Sequence, residues 1–170
     1  MDEKRESEPT PMKNPTTVER RSERELVVMR TFNGPAHIVF EAWTKPELLK
    51  RWWAPKSCGI SFISCEADVR TGGTYSFLFS HAASEQPVAF YGRYIEVTPH
   101  ARIVWTNEES ADGPVSTVTF EEKGDRTLLV LHELYPSKQA LDDAIASGST
   151  SGAGEQFEQL DSLLVTLVRL

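Results

Sequence analysis

The sequence lacks any run of 18 or more apolar residues, so it offers no helix expected to span a bilayer. It has only two cysteines, Cys58 and Cys65, too few for a disulfide framework. Cys65 lies inside an apolar, strand-like run, where a free thiol behaves as a small hydrophobe, and a reducing, cytoplasmic compartment is the expectation. Positive charge is in short supply: 18 Lys and Arg stand against 25 Asp and Glu, a net charge of −7. A field of that sign repels phosphate backbones and argues against a nucleic-acid partner. Chemical motifs are missing as well. There is no GxSxG elbow and no phosphate-cradling glycine loop before a helix. His37, His81, His100 and His132 show no zinc-ligand spacing, and the cysteines form no CxxC pair. No catalytic residue, metal or cofactor is therefore assigned.

What is present is an ordinary globular composition, 39% hydrophobic and 25% charged, in a chain long enough for one domain. Residues 1–24 stand apart. Their six basic side chains (Lys4, Arg5, Lys13, Arg20, Arg21, Arg24) cancel six acidic ones, and large apolar residues are nearly absent. Such a segment cannot offset its ordering entropy, so it reads as a disordered tail, neither secretory signal nor anchor. The domain is expected over residues 25–170.

Leu26 to Phe32 is β-branched and aromatic, a first strand stopped by Asn33-Gly34-Pro35. Two short helices follow: one carries Ile38, Val39, Ala42 and Trp43, and the other runs from Pro46 to about Trp52. Thr44 and Glu47 form a capping box between them. From Gly59 to Leu134 the pattern is of strands: 60–69, 74–81, 87–97, 102–107, 115–122 and 127–134, joined by short Gly, Pro and Asp turns. With the first strand this makes seven, expected to be antiparallel. Ala140, Leu141, Ala144 and Ile145 mark a short helix. A last one begins near Gly154, with Phe157, Leu160, Leu163, Leu164, Leu167 and Val168 at steps of three and four and Arg169 on its outer side. A curved sheet around such a helix predicts a cavity between them.

Several candidate site residues follow from the strand pattern. Tyr75, Phe77 and Phe79 alternate and share one face, as core or as the wall of a cavity. Of Trp52 and Trp53, one packs inward and the other covers the pocket mouth; Trp53 is taken as a ligand-binding residue. Arg30 alternates with Val28 and Phe32; pointing inward, it needs a carboxylate from Glu133 or from a ligand. His132 is a structural histidine or a polar group on the pocket wall, and strand parity does not choose between them.

The stretches Arg30–Pro35, Val39–Glu47 and Trp52-Trp53 resemble the opening signature of the START-like proteins related to the activator of the heat-shock protein 90 ATPase, of the SRPBCC superfamily. Asp68–Tyr75, Gly92–Pro99 and Gly152–Leu160 resemble later signatures, so the likeness spans about Glu25 to Leu170. It implies an α+β helix-grip fold: seven antiparallel strands wrapped around a long C-terminal helix, with two short helices after the first strand. It also implies a hydrophobic pocket for lipid-like or aromatic molecules, and it does not imply an enzyme. Where many relatives carry Gly-Trp at the start of the last helix, this chain has Gly154-Glu155-Gln156-Phe157, which makes Phe157 the aromatic surface there.

Three functions stay open on this reading. The leading one is a domain that binds a small hydrophobic molecule. The others are a cyclase or hydrolase using the same pocket through His132, Tyr75 or Glu133, and a co-chaperone-like interaction module with a chaperone partner. A homodimer is left open.

Overall fold

A computed structural model describes residues 15–148 and 150–168. The elements run β1 (Thr17–Arg20), β2 (Glu25–Phe32), α1 (Ala36–Thr44), α2 (Pro46–Trp52), β3 (Ile60–Ala67), β4 (Thr74–His81), β5 (Ser84–Thr98), β6 (Arg102–Thr106), β7 (Val115–Lys123), β8 (Arg126–Leu134), α3 (Lys138–Ser147) and α4 (Ala153–Val168). Among the described residues the strands form one sheet in the order β1-β2-β8-β7-β6-β5-β4-β3, every pairing antiparallel. This is the α+β helix-grip arrangement anticipated from the sequence, with eight strands where seven were expected.

The extra strand comes from the stretch read as a tail. Thr17–Arg20 pairs with β2, from Thr17 opposite Met29 to Arg20 opposite Leu26. Its side chains are all exposed, which is why hydrophobic content gave no sign of it: backbone pairing to an edge, rather than burial, holds it. Residues 1–14 and Arg169 lie outside the described residues.

The helix boundary near Thr44 also differs from the expected capping box. Thr44 ends α1, and its hydroxyl donates back to the Phe40 carbonyl at 3.0 Å. Lys45 is the N-cap of α2 and has no side-chain cap, while Pro46 follows at the first turn, where it has no N–H to satisfy. Ser137 does cap α3, accepting from the Ala140 N–H at 3.0 Å.

Alternation sends Val28, Phe32, Tyr75, Phe77, Phe79, Tyr94, Ile103, Trp105, Val118, Phe120 and Leu129 to the inner face of the sheet. Phe157, Leu160, Leu163 and Leu164 of α4 and Val39, Phe40 and Trp43 of α1 close that face into one core. A smaller cluster of Leu26, Tyr135, Ala140 and Leu141 seats α3 at the end of β2 and β8. Among the described residues no helix is long and apolar enough to cross a membrane, and no group of three His, Cys, Asp or Glu could hold a metal.

Candidate functional site

The inner face of β4, β5 and β6 meets the tryptophans of α1 and α2 in a cleft with an empty volume of about 310 Å³, its mouth included. Its walls are Trp43, Leu49, Trp53, Tyr75, Phe77, Tyr94, Ile103 and Trp105. Between the rings themselves there is room for only about one water molecule. The rings meet edge-on or tilted. Trp43 and Trp105 have centroids 5.8 Å apart, Trp53 and Phe77 5.7 Å, and Tyr75 and Tyr94 5.5 Å.

Local sequence explains the placement. The period of two along β4 aims Tyr75 and Phe77 inward, and Gly92 lies opposite Tyr75 in register. A Cβ on Gly92 would stand 2.2 Å from the Thr106 carbonyl oxygen. Its absence lets the strands close, and the Tyr75 hydroxyl donates to that same oxygen at 2.7 Å. Burial, with Glu109 next in effect, pushes the Tyr75 phenol far above its ordinary value, and burial does the same to Tyr94. Both hydroxyls stay protonated throughout the physiological range.

Polar groups flank the cleft. Asn107 accepts a long contact from Tyr75, 3.4 Å at Oδ1, and donates through Nδ2 to the Ser116 hydroxyl at 3.0 Å. Ser116 in turn donates to Glu133 Oε2 at 2.6 Å. Burial pushes the Glu133 carboxyl up, against the downward pull of the Ser116 bond.

The segment after α2, with its 3-10 turn Lys56–Cys58, is tied to α4 by side chains. Gln159 donates to the carbonyls of Trp52 and Ala54, each at 2.9 Å, and accepts from the Lys56 N–H at 2.9 Å. Gln156 donates to the Trp53 carbonyl. Glu155 accepts from the Ser57 N–H at 2.9 Å and from the Ser57 hydroxyl, bonds that hold its carboxyl below the usual range. Trp53 is thus fixed over the cleft from behind.

Of the residues proposed from sequence, the structure brings Tyr75, Phe77 and Trp53 together on the cleft wall. Phe79 shares their face but is fully buried beyond the cleft, its ring tilted against that of Phe62 at 4.3 Å between centroids. Phe157 is core: it packs edge-on to Phe32 at 5.6 Å. The cleft therefore opens against α1 and α2, whereas sequence reasoning had placed it against α4, whose apolar stripe instead fills the core. Arg30 does point inward and is 2% exposed. Its partners are neither Glu133 nor the cleft, however, but Glu158 at 3.1 Å and Asp161 at 3.3 Å, one turn apart on α4. His132 lies on the outer face, its Nε2 2.8 Å from Glu25 of the neighbouring strand, and is absent from the wall. Sequence reasoning missed Trp43, Leu49, Tyr94, Ile103 and Trp105 as wall residues. The alternation of Ile103 and Trp105 was a usable signal; that these would meet Trp43 depended on the packing of α1.

The family model described as "Activator of Hsp90 ATPase homolog 1-like protein" matches residues 33–165. Solved structures share the fold. A Rhodobacter sphaeroides protein superposes with a TM-score of 0.81 at 21% identity, covering 89% of this chain and 99% of its own. A Nitrosomonas europaea protein gives 0.79 at 22%, covering 89% and 100%. A solution structure titled an AHSA1-like protein, from Aeromonas hydrophila, gives 0.68 at 16%, covering 82% and 93%. No curated protein matches the chain. A family match over most of the sequence makes this chain a member of the Activator of Hsp90 ATPase homolog 1-like family.

Proposed function

We propose that this protein binds a small, largely apolar molecule in the aromatic cleft, and that binding rather than turnover is its role. The observation that supports this most is the wall itself. Six aromatic rings from five separate elements or their flanks converge on one recess of about 310 Å³, its mouth included. Turnover through the candidate groups has less to stand on. His132 faces away, Glu133 is not on the wall, and the Tyr75 phenol already donates to a main-chain carbonyl. With room for about one water between the rings, a ligand enters by displacing Trp53 and the segment behind it.

An environment-sensitive dye, anilinonaphthalene sulfonate, tests the reading on the folded full-length chain. Saturable, one-to-one fluorescence enhancement is expected, weakened by Trp53→Ala. A response seen only as the chain unfolds, or unaffected by Trp53→Ala, would count against the cleft as the site. Native mass spectrometry of freshly purified protein adds an independent readout, a co-purifying small molecule.

A further inference from the structure

Six of the eight wall residues of the cleft are aromatic, three of them tryptophan, and none is charged. The face of an aromatic ring is the negative pole of its π system and the edge is the positive one. Trp53 stands at 88° to Trp43 with centroids 5.8 Å apart, and at 69° to Phe77 at 5.7 Å. Each of these edge-to-face pairs uses one ring's face, so a group that displaces Trp53 comes against a face on Trp53 or on its neighbours. Charge near the rings has one sign. Burial is the main reason the Tyr75 and Tyr94 phenols stay protonated. The carboxylates of Glu109, Glu108 and Glu133 add to it at Tyr75, as that of Asp68 does at Tyr94. Glu108 is neutralised by Arg93 at 2.6 Å and Asp68 by Arg70 at 2.8 Å. Glu109 accepts from the Tyr91 N–H at 3.2 Å and is paired with no Lys or Arg among the described residues.

We infer that the cleft takes an organic cation, an alkylated ammonium group seated against the rings of Trp43 and Trp53 with the Glu109 carboxylate near Tyr75. Aromatic rings attract a cation through the quadrupole, tryptophan most strongly, and the attraction grows as water is excluded. The wall also narrows the kind of cation. A primary ammonium brings three N–H donors, and no wall carboxylate is there to receive them, so it would lose its water without replacement. Methyl groups on the nitrogen remove those donors and spread the same charge over an apolar surface. A quaternary ammonium is therefore a cation coated in hydrocarbon, which agrees with a wall of rings, Leu49 and Ile103. An unpaired carboxylate outside the wall adds attraction at longer range without adding a hydrogen-bonding group to the recess.

This inference rests on the binding role proposed above and is tested so that the two fail separately. Nitrogen-labelled full-length chain is titrated at low ionic strength with three small probes. They are choline, neohexyl alcohol (the same shape with carbon in place of the charged nitrogen) and ethanolamine (the same charge with N–H donors). The indole N–H signals of the four tryptophans report binding. Choline is expected to shift them saturably and to bind about tenfold more tightly than the alcohol. Ethanolamine is expected to bind more weakly than choline. Glu109→Gln is expected to cost choline about threefold in affinity and to leave the alcohol unchanged. Equal or tighter binding of the alcohol overturns the inference and leaves the binding role standing. Ethanolamine binding as tightly as choline also overturns it, since attraction to surface carboxylates then accounts for both. If none of the three binds while the dye still reports the cleft, the inference alone falls. If neither probes nor dye bind, both fall.

Discussion

The two halves of the sheet use their inner faces differently. Under β2, β8 and β7 the inward residues Val28, Phe32, Leu129, Val118 and Phe120 meet α1 and α4 in continuous contact. The buried cation there, Arg30, faces two carboxylates of α4, although its Nε and Nη2 make no hydrogen bond among the described residues. Under β4, β5 and β6 the inward residues are large rings that line a recess, and one buried donor on its wall, the Trp43 indole N–H, has no partner among the described residues. The first half holds the fold together. The second carries the cleft proposed above as a binding site. Mutations should therefore separate the halves: truncation on the first should cost folding, and removal of polar atoms on the second should cost little.

The largest effect is expected at Leu164, buried on α4. Leu164→Ala removes transfer energy and leaves a cavity, for a loss of about 2–5 kcal/mol in urea unfolding. A loss below 1 kcal/mol would show that α4 does not anchor the filled half. Arg30 comes next. Arg30→Ala strips the cation from Glu158 and Asp161 and should cost about 3 kcal/mol, while Arg30→Met, which fills the same space, should cost clearly less. If the two variants melt alike, the loss of charge and not of packing decides the site.

Glu133 stands where the halves meet, and its expected effect is a change of slope with pH. Its carboxyl is raised in the folded chain by burial, so its contribution is fully present below the unfolded value near 4.5 and is lost as pH rises through the folded value. Glu133→Gln cannot ionise and keeps an acceptor for Ser116. Relative to wild type, the variant is expected to gain melting temperature between pH 4 and pH 7. A constant difference across that range would mean that the carboxyl is not raised. The smallest effect belongs to Tyr94→Phe. Removing a hydroxyl that bonds no described residue should change stability by under about 0.5 kcal/mol, measured in the same urea titration. A loss above 1 kcal/mol would reveal a structural partner and would make the two halves alike.

Most of the fold was legible because period and punctuation carry it. β4 was read over its full extent from Tyr75-Ser76-Phe77-Leu78-Phe79 and the glycines before it, and α4 from the Phe157–Leu160–Leu164 spacing. Strand β1 was not legible, since Thr17–Arg20 gains from pairing and buries nothing. The cleft was half legible. Alternation shows that Tyr75 and Phe77 share a face, but which helix confronts that face is set by distant packing, here of Trp43 and Trp53. Arg30 shows the same limit. Its inward direction followed from Val28 and Phe32, yet its partners lie 128 and 131 positions away on α4, and no local pattern names them.

The side-chain clamp of Glu155, Gln156 and Gln159 on residues 53–57 has a kinetic consequence. If that segment must lift before the cleft can exchange its contents, the clamp sets a common exit rate. Ligands of different affinity would then leave with similar rate constants and differ in how fast they arrive. Loosening the clamp through Glu155, which holds Ser57 and is not itself a wall residue, would shorten every residence time together while leaving the order of affinities unchanged.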